Sequence, residues 1–295
     1  MKFYNTKEIK SKNITEYIFN IDALTAYDFK RRTGRKRRDF EELSSIEKAE
    51  SVQRRKAYYK DKRFDIKRLI DCNFDDKSTF LTLTFKENLQ DIEIANREFT
   101  LFIKRLKRYL KNRELKYIAT WELQQRGSIH YHLVLFSVPY IDNKKLAEIW
   151  GNGFIKVNKI KETVKTEAVG VYITKYFVKD LEKKANQKKA YFSSRNLIKP
   201  QETKKKLDFD EMNDIITNEE DLLYIKNFTA RELIEVDAST GEKIYREVKK
   251  VYVVQKNKEN KKLDLQNQKN VLDLMTRRQK ELSANNSQIK NYKKI

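Results

Sequence analysis

The chain of 295 residues is long enough for one or two domains, and 39% of its residues are hydrophobic, which suffices for a modest core. It carries 65 Lys and Arg against 43 Asp and Glu, a net charge of +22, which indicates a polyanionic partner such as a nucleic acid, although a generally Lys-rich composition could explain part of it. The single cysteine, Cys72, excludes an internal disulfide and a cysteine metal site and fits a reducing compartment, while apolar runs near ~20 residues and a GxxxxGK phosphate loop are missing, so we expect neither a membrane span nor a nucleotide cofactor.

Residues 1–75 are predicted to form a basic, mainly helical N-terminal extension that contacts DNA. Residues 29–40, FKRRTGRKRRDF, are a cationic run, and the following segment to residue 74 has a helical pattern. Its Lys and Arg suit phosphate contacts, but a solvated helical face explains them equally well. The residues of the run expected to contact DNA are Arg31, Arg32, Arg35, Lys36, Arg37 and Arg38.

From residue 79 the pattern alternates between strands and helices. Strands are predicted at 79–85, 115–123, 129–136 and 153–160, and helices at 91–112, 144–150 and 165–185. The second and third strands form a hairpin that turns at Gln124–Ser128, where Gly127 supplies conformational freedom. This order predicts an α+β domain over residues 76–200, with an antiparallel sheet and helices on one face. Further DNA contacts are expected from the basic face of the first helix, at Lys104, Arg105, Lys107 and Arg108.

Residues 201–295 are predicted to be an accessory region. The segment LLYIKNFTARELIEVDASTGEKIYREVKKVYVVQ is typical of a β-hairpin that turns at Ser239–Gly241. A polar, basic tail follows, with a short helical patch. No single residue of this region indicates a function.

The chain has two histidines, His130 and His132, and both lie on one predicted strand, IHYHLVLF. Residues i and i+2 of a strand point to the same face, so the two imidazoles project side by side, with Tyr131 on the other face. Two neutral imidazoles can share a divalent cation. Glu122 on the preceding strand comes close to His130 across the hairpin and is the third candidate ligand. An HxH on an amphipathic strand is more often polar surface, so the pair alone leaves both interpretations open.

Two tyrosines, Tyr172 and Tyr176, lie one turn apart on the predicted helix VYITKYFVKDL, with Lys175 beside them. A tyrosyl oxygen can attack a phosphodiester, and a neighbouring ammonium favours its phenolate. Tyrosines at this spacing more often pack into a core than act as nucleophiles.

The ordered set FLTLTF, E(x)7HxH and YxxKYxxK resembles the HUH endonucleases, and more closely the rolling-circle replication initiators of small bacterial plasmids and phages, of the two-tyrosine type. The resemblance covers about residues 78–200. It implies an RRM-like or ferredoxin-like sheet of about five antiparallel strands, with HxH on a central strand. It further implies a Mg²⁺ or Mn²⁺ ion held by Glu122, His130 and His132, with Tyr172 as nucleophile, Tyr176 as the second tyrosine, and Lys175 as the helical lysine. The strand from Thr82 to Phe85 matches the first motif of the family, mostly as structural support.

The function implied by the resemblance is nicking and rejoining of origin DNA, single-stranded or in a hairpin. A tyrosine becomes linked to the 5′ phosphate, and the freed 3′ hydroxyl primes a host polymerase. A host helicase is expected to unwind the DNA, and the setting is the cytoplasm of a bacterial host. The alternatives are an HUH transposase or relaxase and a non-catalytic nucleic-acid-binding module. The binding module would need Phe80 and Phe85 exposed on the sheet to stack bases.

Overall fold

The computed structural model describes residues 3–22, 24–26, 42–111, 114–158, 191–236 and 243–257. In chain order its strands are β1 (Phe3–Tyr4), β2 (Thr6–Lys10), β3 (Ile14–Asn20), β4 (Thr25–Ala26), β5 (Thr79–Phe85), β6 (Lys116–Leu123), β7 (Ile129–Phe136), β8 (Gly153–Asn158), β9 (Tyr191–Ser193), β10 (Gln201–Lys205), β11 (Leu222–Val236) and β12 (Lys243–Lys256). The helices within the described ranges are α1 (Ser45–Asn73), α2 (Ile92–Tyr109), α3 (Asn143–Trp150) and α4 (Phe209–Thr217).

The chain divides into two compact units. One comprises residues 35–199, and the other joins residues 1–34 to residues 200–295. The predicted boundary near residue 200 agrees with this division. The predicted boundary at residue 75 differs from it, because α1 belongs with the central sheet and the first residues belong with the C-terminal segment.

The unit of residues 35–199 contains the predicted antiparallel sheet of five strands. Its order is β8-β5-β7-β6-β9, so β7 is the central strand. β5 and β7 have the bounds that their sequence pattern predicts. The α+β fold class, with this sheet and its helices, is therefore confirmed.

One face of this sheet packs against α2 and α3. Asp91 caps α2 by accepting hydrogen bonds from the backbone N–H groups of Glu93 and Ile94. The buried side of α2, with Phe99 and Leu106, joins Trp150 of α3 in one apolar cluster with the odd-numbered residues of β7. Burial of this stripe is the main source of stability for the unit.

The opposite face is covered in part by α1, so the expectation that helices lie on one face is wrong. Ile66 and Ile70 of α1 pack against Phe80, Ile118 and Val134, which occupy one end of this face. The strands therefore carry apolar side chains on both faces at that end. Strands with two apolar faces need cover on both sides.

The second unit is built on another antiparallel sheet of five strands, in the order β10-β2-β3-β12-β11. The predicted hairpin is confirmed as β11 and β12. The expectation of a helical N-terminus is wrong for residues 3–20, which form β1, β2 and β3. β3 pairs with β12 from Ile14 opposite Lys256 to Asn20 opposite Lys250, and a partner so distant in sequence stabilises strands that a local pattern leaves ambiguous.

The helix α4 covers one face of this second sheet. Met212 and Ile216 of α4 pack against Phe19, Ile225 and Val251. Asp208 and Glu211 form a capping box, in which each side chain bonds the backbone N–H of the other residue. No helix among the described residues is both long enough and apolar enough to cross a bilayer.

Candidate active site

Both histidines lie on the central strand β7 and point to the same face of the sheet, as their spacing predicts. Tyr131 points to the other face, where its ring stacks on Phe99 with 4.6 Å between centroids. Its hydroxyl donates a hydrogen bond to Asn96 Oδ1 at 2.8 Å. The alternation of β7 thus separates a polar face from the main apolar cluster.

The neighbouring strands place four polar residues around the histidines. On β6, Glu122 lies opposite His130 and Thr120 lies opposite His132. On β5, Thr84 lies opposite His130 and Thr82 lies opposite His132. Since directly opposite residues share a face, all six side chains belong to the polar part of this face.

The register of Glu122 follows from the turn of the β6–β7 hairpin. Gln124 and Ser128 are joined by a backbone hydrogen bond of 2.9 Å, and Gly127 has a φ of +83°. A Cβ at this position would lie 3.0 Å from the side chain of Gln90, and a positive φ disfavours residues other than glycine. The predicted turn, and Glu122 opposite His130, are therefore confirmed.

The side chains of the site make direct contacts. Nε2 of His132 lies 3.0 Å from Oε1 of Glu122. The hydroxyl of Thr82 lies 3.2 Å from Nδ1 of His132, and the hydroxyl of Thr84 lies 3.4 Å from Nδ1 of His130. All three titratable residues are buried, with exposed fractions of 8% for Glu122 and 5% for each histidine. The site thus combines a carboxylate and two imidazoles in a setting of low dielectric.

The donor set suits a hard or borderline divalent cation. Two neutral imidazoles and one carboxylate are ligands that Mn²⁺ and related ions accept, and they leave further positions for water or a phosphate oxygen. In the described part of the chain, no three His, Cys, Asp or Glu side chains already converge as a complete metal site. Instead, Glu122 contacts His132 directly, so an ion would have to replace this contact. The donors are chemically suitable, and the metal site stays a prediction.

Several predicted site residues lie outside the described residues. Tyr172, Lys175 and Tyr176 belong to the range 159–190, and the predicted cationic run belongs to the range 27–41. Their roles stay predictions. The residues of the run concerned are Arg31, Arg32, Arg35, Lys36, Arg37 and Arg38.

The basic residues of α2 lie on the sheet face opposite to the histidines. Lys104 and Arg108 are exposed, and Lys107 is half-buried. The guanidinium of Arg105 donates to the backbone carbonyls of Ile149 and Trp150, each at 2.7 Å. Arg105 was expected to contact DNA, but its donors hold the C-terminal end of α3, where carbonyl groups lack helical partners.

The sequence patterns did not single out three features of the site. Thr82 and Thr84 were expected to be mostly structural support, whereas they contact the imidazoles. Phe154 of β8 lies opposite Thr84 and is 68% exposed on the histidine face. Tyr191 of β9 lies opposite Thr120 on the same face. The alternation in FIKV, residues 154–157, could have indicated an outward Phe154, but the pairing of β9 with β6 has no local signal.

The burial of two phenylalanines argues against one alternative. A base-stacking module on this sheet would need Phe80 and Phe85 to face solvent, and they are 1% and 4% exposed. Phe80 instead stacks on the ring of His132, with 6.0 Å between centroids.

Comparison with known proteins yields one match. Residues 78–181 match the family model of replication-associated proteins of the ORF2 and gene-2-protein type. No curated protein and no solved structure matches the chain. The matched segment runs from the start of β5 past β8, and it includes Glu122, His130 and His132. This part of the chain is therefore similar to replication-associated proteins, which is consistent with the resemblance to rolling-circle initiators.

Proposed function

We propose that this chain, whose central segment matches a replication-associated family, initiates rolling-circle replication by nicking and rejoining one strand of origin DNA. One observation carries the proposal. Glu122, His130 and His132 lie together on one face of the neighbouring strands β6 and β7, within the matched segment. A carboxylate and an imidazole pair in this arrangement suit a divalent ion that binds phosphate oxygens.

The nucleophile in this proposal is a tyrosine of the helix predicted at residues 165–185. The phenolic oxygen of Tyr172 or Tyr176 attacks the scissile phosphorus and forms a new P–O bond, while the bond to the 3′ oxygen breaks. The phenolic proton is lost and the departing 3′ oxygen gains a proton, so that a free 3′ hydroxyl results. The ammonium of Lys175 favours the phenolate.

The residues of the sheet hold and orient the reacting phosphate. A bound Mg²⁺ or Mn²⁺ ion supplies charge that polarises this phosphate. Glu122, His130 and His132 would hold that ion, and Thr82 and Thr84 orient the two imidazoles. Because the three ligands are buried, bulk water is kept from the reacting centre and its electrostatic interactions are strengthened.

The phosphotyrosine keeps the energy of the cleaved bond, so rejoining needs no nucleotide cofactor. A 3′ hydroxyl attacks the phosphotyrosine, the DNA strand is restored, and the tyrosine is released. A host polymerase extends the first 3′ hydroxyl and a host helicase unwinds the template. The net charge of +22 favours DNA binding that weakens steeply with salt.

A denaturing gel tests this function. Purified protein is incubated with Mn²⁺ and labelled single-stranded DNA from the region around its own gene. We expect a covalent protein–DNA band that disappears with chelator, with Glu122→Gln, with His132→Ala and with the double substitution of Tyr172 and Tyr176 by Phe. The two single Tyr→Phe variants then show which tyrosine attacks first.

Tyr140→Phe is the matched control. Tyr140 is 83% exposed, so its loss of a hydroxyl should leave both the fold and the band unchanged. A band of wild-type strength in the double tyrosine variant would overturn the assigned nucleophiles. If folded protein forms no band with its origin DNA and Mn²⁺, the nicking function is wrong and a non-catalytic DNA-binding role is favoured.

A further inference from the structure

The inner side of α1 changes character along its length. Ile66 and Ile70 of this side are buried against the sheet. One and two turns towards the N-terminus, the same stripe continues with Lys62, Tyr59 and Arg55, all half-buried. The helix is thus held by apolar contacts at one end and offers cationic and aromatic side chains at the other.

These side chains form a cluster with Tyr191 of β9. The rings of Tyr58 and Tyr59 meet edge to face, with 5.5 Å between centroids. Nζ of Lys62 lies 5.2 Å from the centre of the Tyr58 ring and 2.6 Å from Oδ2 of Asp65. Tyr191 packs against the same apolar cluster that contains Ile66 and Ile70. We call Tyr58, Tyr59, Lys62 and Tyr191 the α1 aromatic surface.

The α1 aromatic surface adjoins the candidate active site. Tyr191 lies opposite Thr120, and Thr120 lies opposite His132 on the next strand. Tyr191 and His132 are therefore two strands apart on the same face, about 10 Å between backbones. A polymer that passes the histidines can reach this surface within a few monomer units.

The chemistry of the surface suits a nucleic acid strand. Residues 54–68 of α1 contain eight Lys and Arg and two Asp, so the segment is cationic even with Asp65 paired. Tyr58 is 51% exposed and offers a ring face to solvent. Aromatic side chains interleaved with cations are the features by which proteins hold single strands, since bases stack and phosphates are neutralised.

The phenols of this surface are poor nucleophiles. Burial is the main reason that the pKa of Tyr59 and of Tyr191 lies above the ordinary value of 10.0. Both remain protonated at neutral pH, so they serve as packing and stacking groups and do not compete with the predicted catalytic tyrosines.

We propose that the α1 aromatic surface is a binding site for single-stranded DNA, in which a base stacks on Tyr58 and the adjacent phosphate contacts Lys62. The site lies outside residues 78–181, so the family match does not cover it. The choice of DNA as the ligand rests on the proposed function. The surface would hold the strand beside the histidines and so position the nucleotide that is cleaved.

The chain contains a matched control on the other face of the sheet. Nζ of Lys145 lies 5.8 Å from the centre of the Tyr109 ring, and Tyr109 is 46% exposed. This pair repeats the chemistry of Tyr58 and Lys62 on α2 and α3, away from the histidines. A general effect of losing an exposed Tyr–Lys pair would appear equally at both places.

The experiment measures binding of a short fluorescein-labelled oligothymidine to the full chain by anisotropy, in the presence of chelator so that no nicking is expected. Tyr58→Ala should weaken binding about 10-fold, as the loss of one base–aromatic stack does, and Tyr58→Phe should keep wild-type affinity. Tyr109→Ala should stay close to wild type. Lys62→Gln should reduce the slope of log affinity against log salt by about 0.7, and Lys145→Gln should not.

An oligonucleotide of the same length without bases separates stacking from charge. Wild type should bind it about 10-fold more weakly than oligothymidine, and Tyr58→Ala should cause no further loss. Equal losses for Tyr58→Ala and Tyr109→Ala, or an equal loss for Tyr58→Ala on both oligonucleotides, would overturn the proposal. Because this assay needs no covalent band, its failure is distinct from failure of the nicking function.

Fluorescence provides the folding control for every variant. Trp121 and Trp150 are the two tryptophans of the chain, and both are buried in the unit that carries α1. A variant with the wild-type emission spectrum has kept the core of this unit, so its change in affinity reports on the surface.

Discussion

The hydroxyl of Thr82 lies 3.2 Å from Nδ1 of His132, and Thr84 stands in the same relation to His130 at 3.4 Å. Each imidazole therefore has its Nδ1 engaged by a residue of the adjacent strand. For His132, Nε2 is the nitrogen that faces Glu122. A hydroxyl can donate or accept, so it supports the ring both in contact with Glu122 and when Nε2 binds a cation.

Replacing Thr82 by valine should weaken metal binding without unfolding the protein. Valine has nearly the same shape but cannot bond Nδ1, so the ring loses its orienting partner. Loss of such a second-layer contact typically reduces metal affinity by about 10- to 100-fold. Calorimetric titration of the protein with Mn²⁺ measures this directly, without DNA.

Thr79→Val is the control for this experiment. Thr79 lies on the same strand but points to the other face, opposite Leu135. It should bind Mn²⁺ as wild type does. Unchanged affinity in Thr82→Val would mean that this threonine only supports the fold.

Much of the histidine site could be predicted from local sequence. The two-residue period of β7 places both histidines on one face, and the short turn at Gly127 aligns Glu122 with His130. These features depend on residues close together in the chain. The roles of Thr82 and Thr84 depend on β5 lying beside β7, and no local pattern specifies which strands are neighbours.

The errors have the same physical origin. The strands at residues 3–20 are stabilised by pairing with β12 and with β10, about 200 residues away. A local pattern carries little information about such partners, so the segment NTKEIKSKNITEYIF was assigned to a helical extension. Likewise, the charge of Arg105 indicated a phosphate contact, whereas the nearest unsatisfied acceptors are the carbonyl groups that end α3.

Gly153→Ala should destabilise the unit that carries the site. Gly153 has a φ of +148°, and a Cβ there would lie 2.4 Å from the carbonyl oxygen of Thr84 and from the backbone nitrogen of Lys86. Backbone atoms cannot move aside cheaply, so we expect a loss of about 3 kcal/mol. Urea unfolding followed by tryptophan fluorescence measures the change in the free energy of unfolding.

Gly151→Ala tests whether steric contact is the cause. Gly151 ends α3 with a φ of +71°, but its nearest neighbour to a new Cβ is 3.7 Å away. This variant should lose only about 1 kcal/mol, from backbone strain alone. Equal losses in the two variants would contradict the clash at Gly153.

Asp75 should make the stability of the same unit dependent on pH. Burial alone would raise the pKa of Asp75, but hydrogen bonds from Ser137 and Ser78 outweigh it, so the pKa lies below its ordinary value of 3.8. The hydroxyls donate at 2.5 Å from Ser137 and 2.7 Å from Ser78. A carboxylate with a depressed pKa stabilises the fold above the unfolded pKa, and this contribution is lost as the pH falls through the folded pKa.

Asp75→Asn should therefore lower the free energy of unfolding by about 1 kcal/mol near neutral pH, since a charged acceptor is replaced by an amide on a partly exposed site. The difference from wild type should shrink as the pH falls below 3.8. Urea unfolding at a series of pH values gives both curves. A difference that stays constant over this range would show that the charge of Asp75 is not responsible.

Arg105→Ala should affect stability far more than Lys104→Ala, although both were expected to bind DNA. Arg105 donates to two carbonyl groups at the end of α3, and hydrogen bonds from a charged group contribute roughly 1.5–3 kcal/mol, so we expect a loss of about 2 kcal/mol. Lys104 is exposed, and its loss should cost less than about 0.5 kcal/mol. Tryptophan fluorescence in urea compares the two variants, because Trp150 lies beside the carbonyl groups that Arg105 binds. Equal stability of both variants would contradict the capping role. Any part of the salt dependence of DNA binding that α2 contributes should disappear with Lys104→Ala, since the charge of Lys104 can reach a phosphate whereas the donors of Arg105 are directed into the protein.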